Sequence, residues 1–365
     1  MVRFNLSATV GFTAIVAIAL ASGAQTKRHL PGDRSSSRRA ASGRSLFPVY
    51  MEGKWGFIES SGELTIEPQF DMKGQFHNGM AVVSLEGVHG YINFRGKFMP
   101  LPQYDQLFPF SDGLARVAVV QKSFAGVLSR RYKFAFINKL GESISEPKFD
   151  KAGDFSEGLA PVFVGWGSTI RGRFIADTWG FVDQNAELKI PPQFKEVGVF
   201  SEGLARVRIE DKWGFIDRNA DMVIQPRFDY ASSFSEGLAV VRKGGRQGYI
   251  DKKGQVIIEP QFQFAGNFSD GLAAVARTLL RQFQYIDRHG KTAIARKFEA
   301  AFGFNDGLAR IYQDGRWGYI DREGAFVVDP NLDDAHDFHG GLALVAAGDM
   351  WGYIDRQGKY VWKSH

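Results

Sequence analysis

One unchanging spacing constrains this chain more than any other feature. Aligned on the glycine of a Trp-Gly pair, nine registers run along it, at Gly56, Gly90, Ala135, Gly180, Gly214, Gly248, Gln284, Gly318 and Gly352. A second motif, in its fullest form an acidic residue followed by Gly-Leu-Ala, places its Leu or Met at Met80, Leu114, Leu159, Leu204, Leu238, Leu272, Leu308 and Leu342. In eight cases out of eight, 24 residues separate the first position from the second. The return distance is 10 residues in five cases, 12 in one and 21 in two. The basic period is therefore 34 residues, and a period of that size means a tandem array whose units bury their faces against one another. The rigid part must span a packed connection between neighbours, whereas the elastic part is a loop at a free edge.

Each unit reads as three short strands in an antiparallel meander. In one unit these are Leu238 to Arg242, Gln247 to Asp251 and Gln255 to Glu259, separated by Gly-containing turns. A recurrent Asp (Asp183, Asp217, Asp251, Asp287, Asp321, Asp355) is placed to cap the second turn with its carboxylate. Pro68, Pro102, Pro147, Pro192, Pro226, Pro260 and Pro330 are expected to end the third strand, because proline cannot donate to a ladder. Trp213 and Phe215 point to one side of their strand, Gly214 and Ile216 to the other. Both faces are apolar and each needs a neighbour. The glycine leaves a gap where another side chain or backbone can come close, expected to be a ring from the adjacent unit. Trp55, Trp179, Trp213, Trp317 and Trp351 would then form a stacked ladder.

The motifs KWGFIE (54–59), TWGFVD (178–183), KWGFID (212–217), RWGYID (316–321) and MWGYID (350–355) resemble the bacterial WG repeat, also called the KWG repeat. The resemblance covers residues 46–365 and implies an all-β array of about nine units serving as an interaction surface, with no family-wide catalytic residues and no cofactor. The third unit, FAFIN, and the seventh, FQYID, depart from the motif. Nine units exceed the usual four to eight blades of a propeller, and no half-unit is left at either end to seal a ring. An open solenoid or superhelix is therefore the expected architecture, with a closed β-propeller-like toroid as the alternative.

Three regions follow. Residues 1–24 carry Arg3, an apolar run from about Val10 to Leu20, and small residues ending at Ala24, the pattern of a signal peptide cleaved after Ala24. This predicts export to the periplasm or beyond the cell, with no stable membrane insertion after cleavage; an uncleaved N-terminal anchor is the alternative. Residues 25–45 form a Ser/Arg-rich linker with six Lys or Arg against one Asp. The basic pI of 9.2 belongs to that linker and not to residues 46–365, so nucleic acid is not an expected partner. Without cysteine, the repeat domain must be held by packing alone.

The carboxylates recur once per unit at turn positions, which points to turn capping and away from acid/base catalysis. No phosphate loop, GxSxG or HExxH is present. The cluster DDAHDFHGG offers Asp333, Asp337, His336 and His339, a set whose chemistry suits a transition metal, though a polar turn gathers such residues without one. The two 21-residue spacings lengthen the same loop in successive units. They bring Lys122, Phe124, Arg130, Arg131 and Lys133 beside Trp166, Arg171, Arg173 and Phe174. Arginine mixed with aromatic rings is the composition of binding hot spots. The expected function is a non-enzymatic scaffold whose partner is a protein or an anionic envelope polymer. The rival is a carbohydrate binder using exposed aromatic residues.

Overall fold

The strand pattern read from the sequence is built as antiparallel sheets, one per repeat. The computed structural model describes residues 45–121, 131–165, 169–170, 173–174, 178–279 and 282–364, all within one compact unit. Nine small sheets follow one another along the chain, over residues 47–70, 72–100, 106–149, 151–194, 196–228, 230–262, 264–298, 300–332 and 334–363, here blades 1 to 9. Seven of the blades have four strands where three were expected. The addition is an edge strand in the connection between blades, which follows a proline except ahead of blade 8, where the preceding unit carries Arg296. In blade 6, Tyr230–Ala231 pairs with Val241 and Arg242 ahead of the longer strands Leu238–Lys243, Arg246–Asp251 and Val256–Phe262.

The tight turns behave as their residues dictate. Asp217 Oδ1 accepts the amides of Asn219 and Asp221, both at 2.9 Å, and Asp183, Asp251, Asp287, Asp321 and Asp355 do the same in their own blades. The acidic-Gly motif is a two-residue hairpin turn: Glu202 and Gly203 have φ of 55° and 87°, and Ser201 and Leu204 close it. Positive φ at both central residues matches the twist of a hairpin.

The glycine of the WG pair meets backbone, not a neighbouring ring. Three residues of the WG strand, from Trp213 to Phe215, face five residues of the fourth strand, from Phe228 back to Ile224. The excess forms a bulge, and its backbone crosses directly over Gly214. A Cβ there would lie 2.4 Å from the Ile224 oxygen and 2.8 Å from the Pro226 nitrogen. Proline does not end this strand. It sits within Met222–Phe228, at the bulge, where a missing N–H costs no ladder bond. The same crossing recurs at Gly56, Gly180, Gly248 and Gly318.

The array is closed, and the open solenoid is corrected to a nine-bladed propeller. Each interior cluster is shared by two consecutive blades; Trp213, Phe215 and Phe228 of blade 5 pack with Ala231, Phe234, Ala239 and Val241 of blade 6. The last interface joins blade 9 to blade 1, where Leu342 and Tyr353 pack with Phe47, Val49 and Ile58. A tyrosine hydroxyl marks the likeness between interfaces. Tyr249 donates to the Gly266 carbonyl (2.7 Å), Tyr285 to Phe302 (2.8 Å), Tyr319 to His336 (2.5 Å), and Tyr353 to Pro48 (3.0 Å) across the seam. A head-to-tail contact closes whenever its rotation divides the circle. No shared blade is needed, because the seam repeats the apolar packing of the other pairs, although its tyrosine hydroxyl takes a carbonyl of the long strand Phe47–Met51 where the others take one from the connection ahead of that strand.

Candidate functional site

The repeated charges prove to be ties between blades. At one end of the sheets, the acidic residue of five of the hairpin turns reaches the glycine amide of the next: Asp112 to Gly158 (2.9 Å), Glu157 to Gly203 (3.0 Å), Glu202 to Gly237 (2.9 Å), Glu236 to Gly271 (3.0 Å) and Asp306 to Gly341 (2.8 Å). Lys252 pairs with Glu202 at 3.1 Å from the following blade. Serine hydroxyls add a parallel row, Ser156 to the Phe200 carbonyl (2.7 Å), Ser201 to Phe234 (2.8 Å) and Ser235 to Phe268 (2.8 Å).

At the opposite end, the Lys of KWG holds an Asp that caps the next blade's hairpin. Lys54 donates to Asp71, whose second oxygen accepts the Gly87 amide (3.0 Å); Lys133, Asp150 and Gly165, and Lys212, Asp229 and Gly244, repeat the arrangement. The hydrogen bond from Lys54 holds Asp71 below its ordinary pKa, and that from Lys212 does so for Asp229. Burial pushes Asp150 upward but is outweighed by Lys133 and the Gly165 amide. Each folded pKa thus lies below an unfolded value of about 3.9. The stabilisation is complete above that pH and is lost as pH falls through the folded values. Changing Asp71, Asp150 and Asp229 together to Asn should lower the melting temperature at neutral pH and flatten its decline below about pH 4. An unaltered acid limb in a thermal unfolding series would refute the clasp.

The histidine cluster is dispersed by these same ties. Asp333 pairs with Arg316 and accepts the Gly348 amide (2.6 Å), and Asp337 pairs with Arg310 (2.7 Å). The amide of His339 donates to the Leu342 carbonyl (2.9 Å), and that of His336 to Leu344 (2.9 Å). The His336 ring lies 3.8 Å from Asp334. Burial lowers its pKa against the pull of that carboxylate. Among the described residues, no group of three or more His, Asp or Glu is placed to share a metal ion.

Of the predicted partner-binding residues, Lys122, Phe124, Arg130, Trp166 and Arg171 lie outside the described residues. Arg173 and Phe174 lie in a short hairpin strand paired with Thr169–Ile170. Arg131 and Lys133 stand on the strand Arg131–Asn138, with Lys133 committed to Asp150 at 2.8 Å. Both long loops leave the ring at its hairpin end, the end of the Lys–Asp clasps.

The seam between blades 9 and 1 carries a feature that the sequence reading missed. A cavity of about 150 Å³ opens there, lined by Trp55, Trp351, Ala346, Lys73, Asp334 and His336 among others. The Trp55 and Trp351 rings stand 6.3 Å apart, the only pair of WG tryptophans in ring contact among the described residues. There is no stacked ladder: Trp213 and Trp317 are 7% and 4% exposed, each under an arginine of its own blade, Arg206 and Arg310. Tyr50, Met51, Met72 and Met350, all exposed, lie on blades 9, 1 and 2 at the same hairpin end.

A family model described as WG containing repeat matches residues 55–88, 90–119, 134–165, 179–213, 213–246, 248–276, 285–317 and 317–349. The chain belongs to the WG-repeat family. No curated protein matches this WG-repeat chain. Among solved structures it is similar to Hsv2 of Kluyveromyces marxianus, at 11% identity and a TM-score of 0.40 over 67% of this chain and 88% of that one. A streptogramin B lyase is similar at 15% identity and 0.33, over 58% and 82%. A Bacteroides caccae protein of unknown function is similar at 15% and 0.27, over 56% and 92%. None of these lends its activity to the WG-repeat propeller. Among the described residues, no helix is long and apolar enough to cross a membrane.

Proposed function

We propose that this WG-repeat propeller is an exported, non-catalytic scaffold that binds another macromolecule, in the first place a protein, through the hairpin end of its ring. One observation carries the reading. The repeated charges are occupied within the fold, while the departures from the repeat gather at one end. There the loops of blades 3 and 4 leave the ring and Tyr50, Met51, Met72 and Met350 are exposed. Methionine and tyrosine together make an adaptable apolar surface, and the arginines of the long loops add charge for steering. Export rests on the signal-like residues 1–24.

The test is cross-linked capture from envelope extract, with the intact protein compared to a variant whose two long loops are cut to the 10-residue spacing of the other units. A partner recovered by the first and reduced about tenfold or more with the second is expected, since loss of a hot-spot cluster costs at least that much. Equal recovery would overturn the role of the loops, and a mature N-terminus other than Gln25 would overturn cleavage after Ala24. The half-exposed Trp55–Trp351 pair favours a second reading, a carbohydrate binder. Quenching of indole fluorescence by soluble polysaccharide, absent in Trp55→Ala, would select it.

A further inference from the structure

Blade 1 is the exception in the ring. Its sheet holds Phe47–Met51, Lys54–Ile58 and Leu64–Phe70, and among the described residues no edge strand lies beside Phe47–Met51. In blade 6 that place is filled: the Asp229 amide donates to the Arg242 carbonyl and the Ser232 amide to Val240, each at 2.9 Å. The equivalent acceptors in blade 1, the Tyr50 and Pro48 carbonyls, have no such partners among the described residues, and Pro48 instead takes the Tyr353 hydroxyl. Ala231 of the blade 6 edge strand packs in one cluster with Trp213 of blade 5. The corresponding place ahead of blade 1 falls on Trp351 of blade 9, a wall of the seam cavity.

Lys73 is the second exception. It stands where blades 4, 6, 7, 8 and 9 carry the buried alanines Ala152, Ala231, Ala265, Ala301 and Ala335. The residue is exposed, and its ammonium lies 4.5 Å from the centre of the Trp55 ring. It forms no ion pair with a carboxylate of the described residues. Burial of the ammonium lowers its pKa, as expected for a cation held in a cleft without a counterion. On the same rim, His336 is held toward its neutral form and Asp334 is exposed, facing His336.

We propose that this notch receives an extended acidic segment of a partner protein, which adds to the edge of Phe47–Met51, unpaired among the described residues, as the fourth strand of blade 1 and sets a carboxylate on Lys73. Strand addition supplies main-chain hydrogen bonds for affinity and a side-chain pocket for choice. The chain's own residues fit the slot poorly. Counted back from Val49 in the register of blade 6, the sequence positions of Tyr230, Ala231 and Phe234 hold Arg38, Arg39 and Ser42, residue types that would bring like charge to a lysine and no ring to bury. The proposal rests on the reading of the protein as a macromolecular scaffold. It is tested apart from it, because the loop-trimmed variant keeps the notch intact.

The probe is a synthetic peptide copying residues 226–234, the protein's own blade 6 edge segment, with the change Ala231→Glu. It is titrated into the full chain by calorimetry and indole fluorescence. One-to-one binding is expected. It should weaken about tenfold or more in Lys73→Ala, and similarly when the peptide is N-methylated at the positions of Asp229 and Ser232, because a charged hydrogen bond or a paired strand contact accounts for that factor. Lys73→Ala installs the residue that five other blades carry at this position, so its folding is secure. Absence of binding overturns the proposal, as does binding indifferent to both changes. Binding that emerges only in the Arg38→Pro, Arg39→Pro double variant would assign the slot to the protein's own linker and overturn it equally.

Discussion

Alanine in place of Gly214 or Gly248 is expected to destabilise the protein by about 3 kcal/mol or more, far beyond the usual cost of an added methyl in a strand. The Cβ would stand 2.4 Å from the oxygen of Ile224 or Ile258 and under 3 Å from the nitrogen of Pro226 or Pro260. These are backbone atoms, which cannot swing away as a side chain would. Relief requires the bulge to lift, and lifting it separates Trp213 from Phe228, or Gln247 from Phe262. Of the two units without the glycine, blade 3 bears the mark of this conflict, whereas blade 7 keeps the bulge register, with Phe283 opposite Phe298 and Tyr285 opposite Ile294. In blade 3, Ala135 fills the position, and its last segment reaches the sheet only through the isolated bridges Phe134–Phe149 and Ile137–Ser143. In blade 7, Gln284 is accompanied by Arg296 where Pro226 and Pro260 stand elsewhere, and its amide bonds the Ala295 carbonyl at 2.7 Å. Denaturant unfolding of Gly214→Ala decides the matter. A loss below about 1 kcal/mol would mean that the crossing strand yields easily and the close approach is no constraint.

Tyr353→Ala should cost about 3–5 kcal/mol, the range for removing a buried aromatic side chain. Its damage should be confined to one seam. Tyr353 packs its ring 5.4 Å from Phe47 and bonds the Pro48 carbonyl, and the residues it touches belong to the two ends of the repeat domain. Hydrogen exchange in blades 1 and 9 should quicken while blades 4 to 7 keep their protection. Tyr353→Phe, which keeps the ring and loses the hydroxyl, should cost about 1 kcal/mol. Scattering that reports the same compact envelope for Tyr353→Ala, together with unchanged exchange at the termini, would mean that the ring is held elsewhere.

The local chemistry was readable before the fold was known. Asp217 caps its own turn because the amides it needs are two and four residues away, within reach of any local reading. The partners of Glu202 and Ser201 lie 35 and 33 residues on, close to one repeat period, so a tie to the next blade and a local cap leave the same trace in the sequence. The role of Gly214 was half visible: the gap was evident, but the bulge that fills it depends on register. Closure was not legible, since the rotation between successive blades is summed over many contacts and no residue encodes it. The seam cavity escaped for a related reason. Nothing in KGQF (73–76) marks Lys73 until Trp55, Trp351 and the edge of Phe47–Met51 are brought around to meet it.

A wheel of nine equal spokes has no landmark, and a visitor arriving at its rim would find nine interchangeable berths. Blade 1, which alone lacks an edge strand among the described residues, removes that degeneracy. It gives the circle a zero mark from which blades 3 and 4, where the long loops begin, stand at a fixed angle. Anything that engages both must arrive in a single orientation, one guest to each wheel.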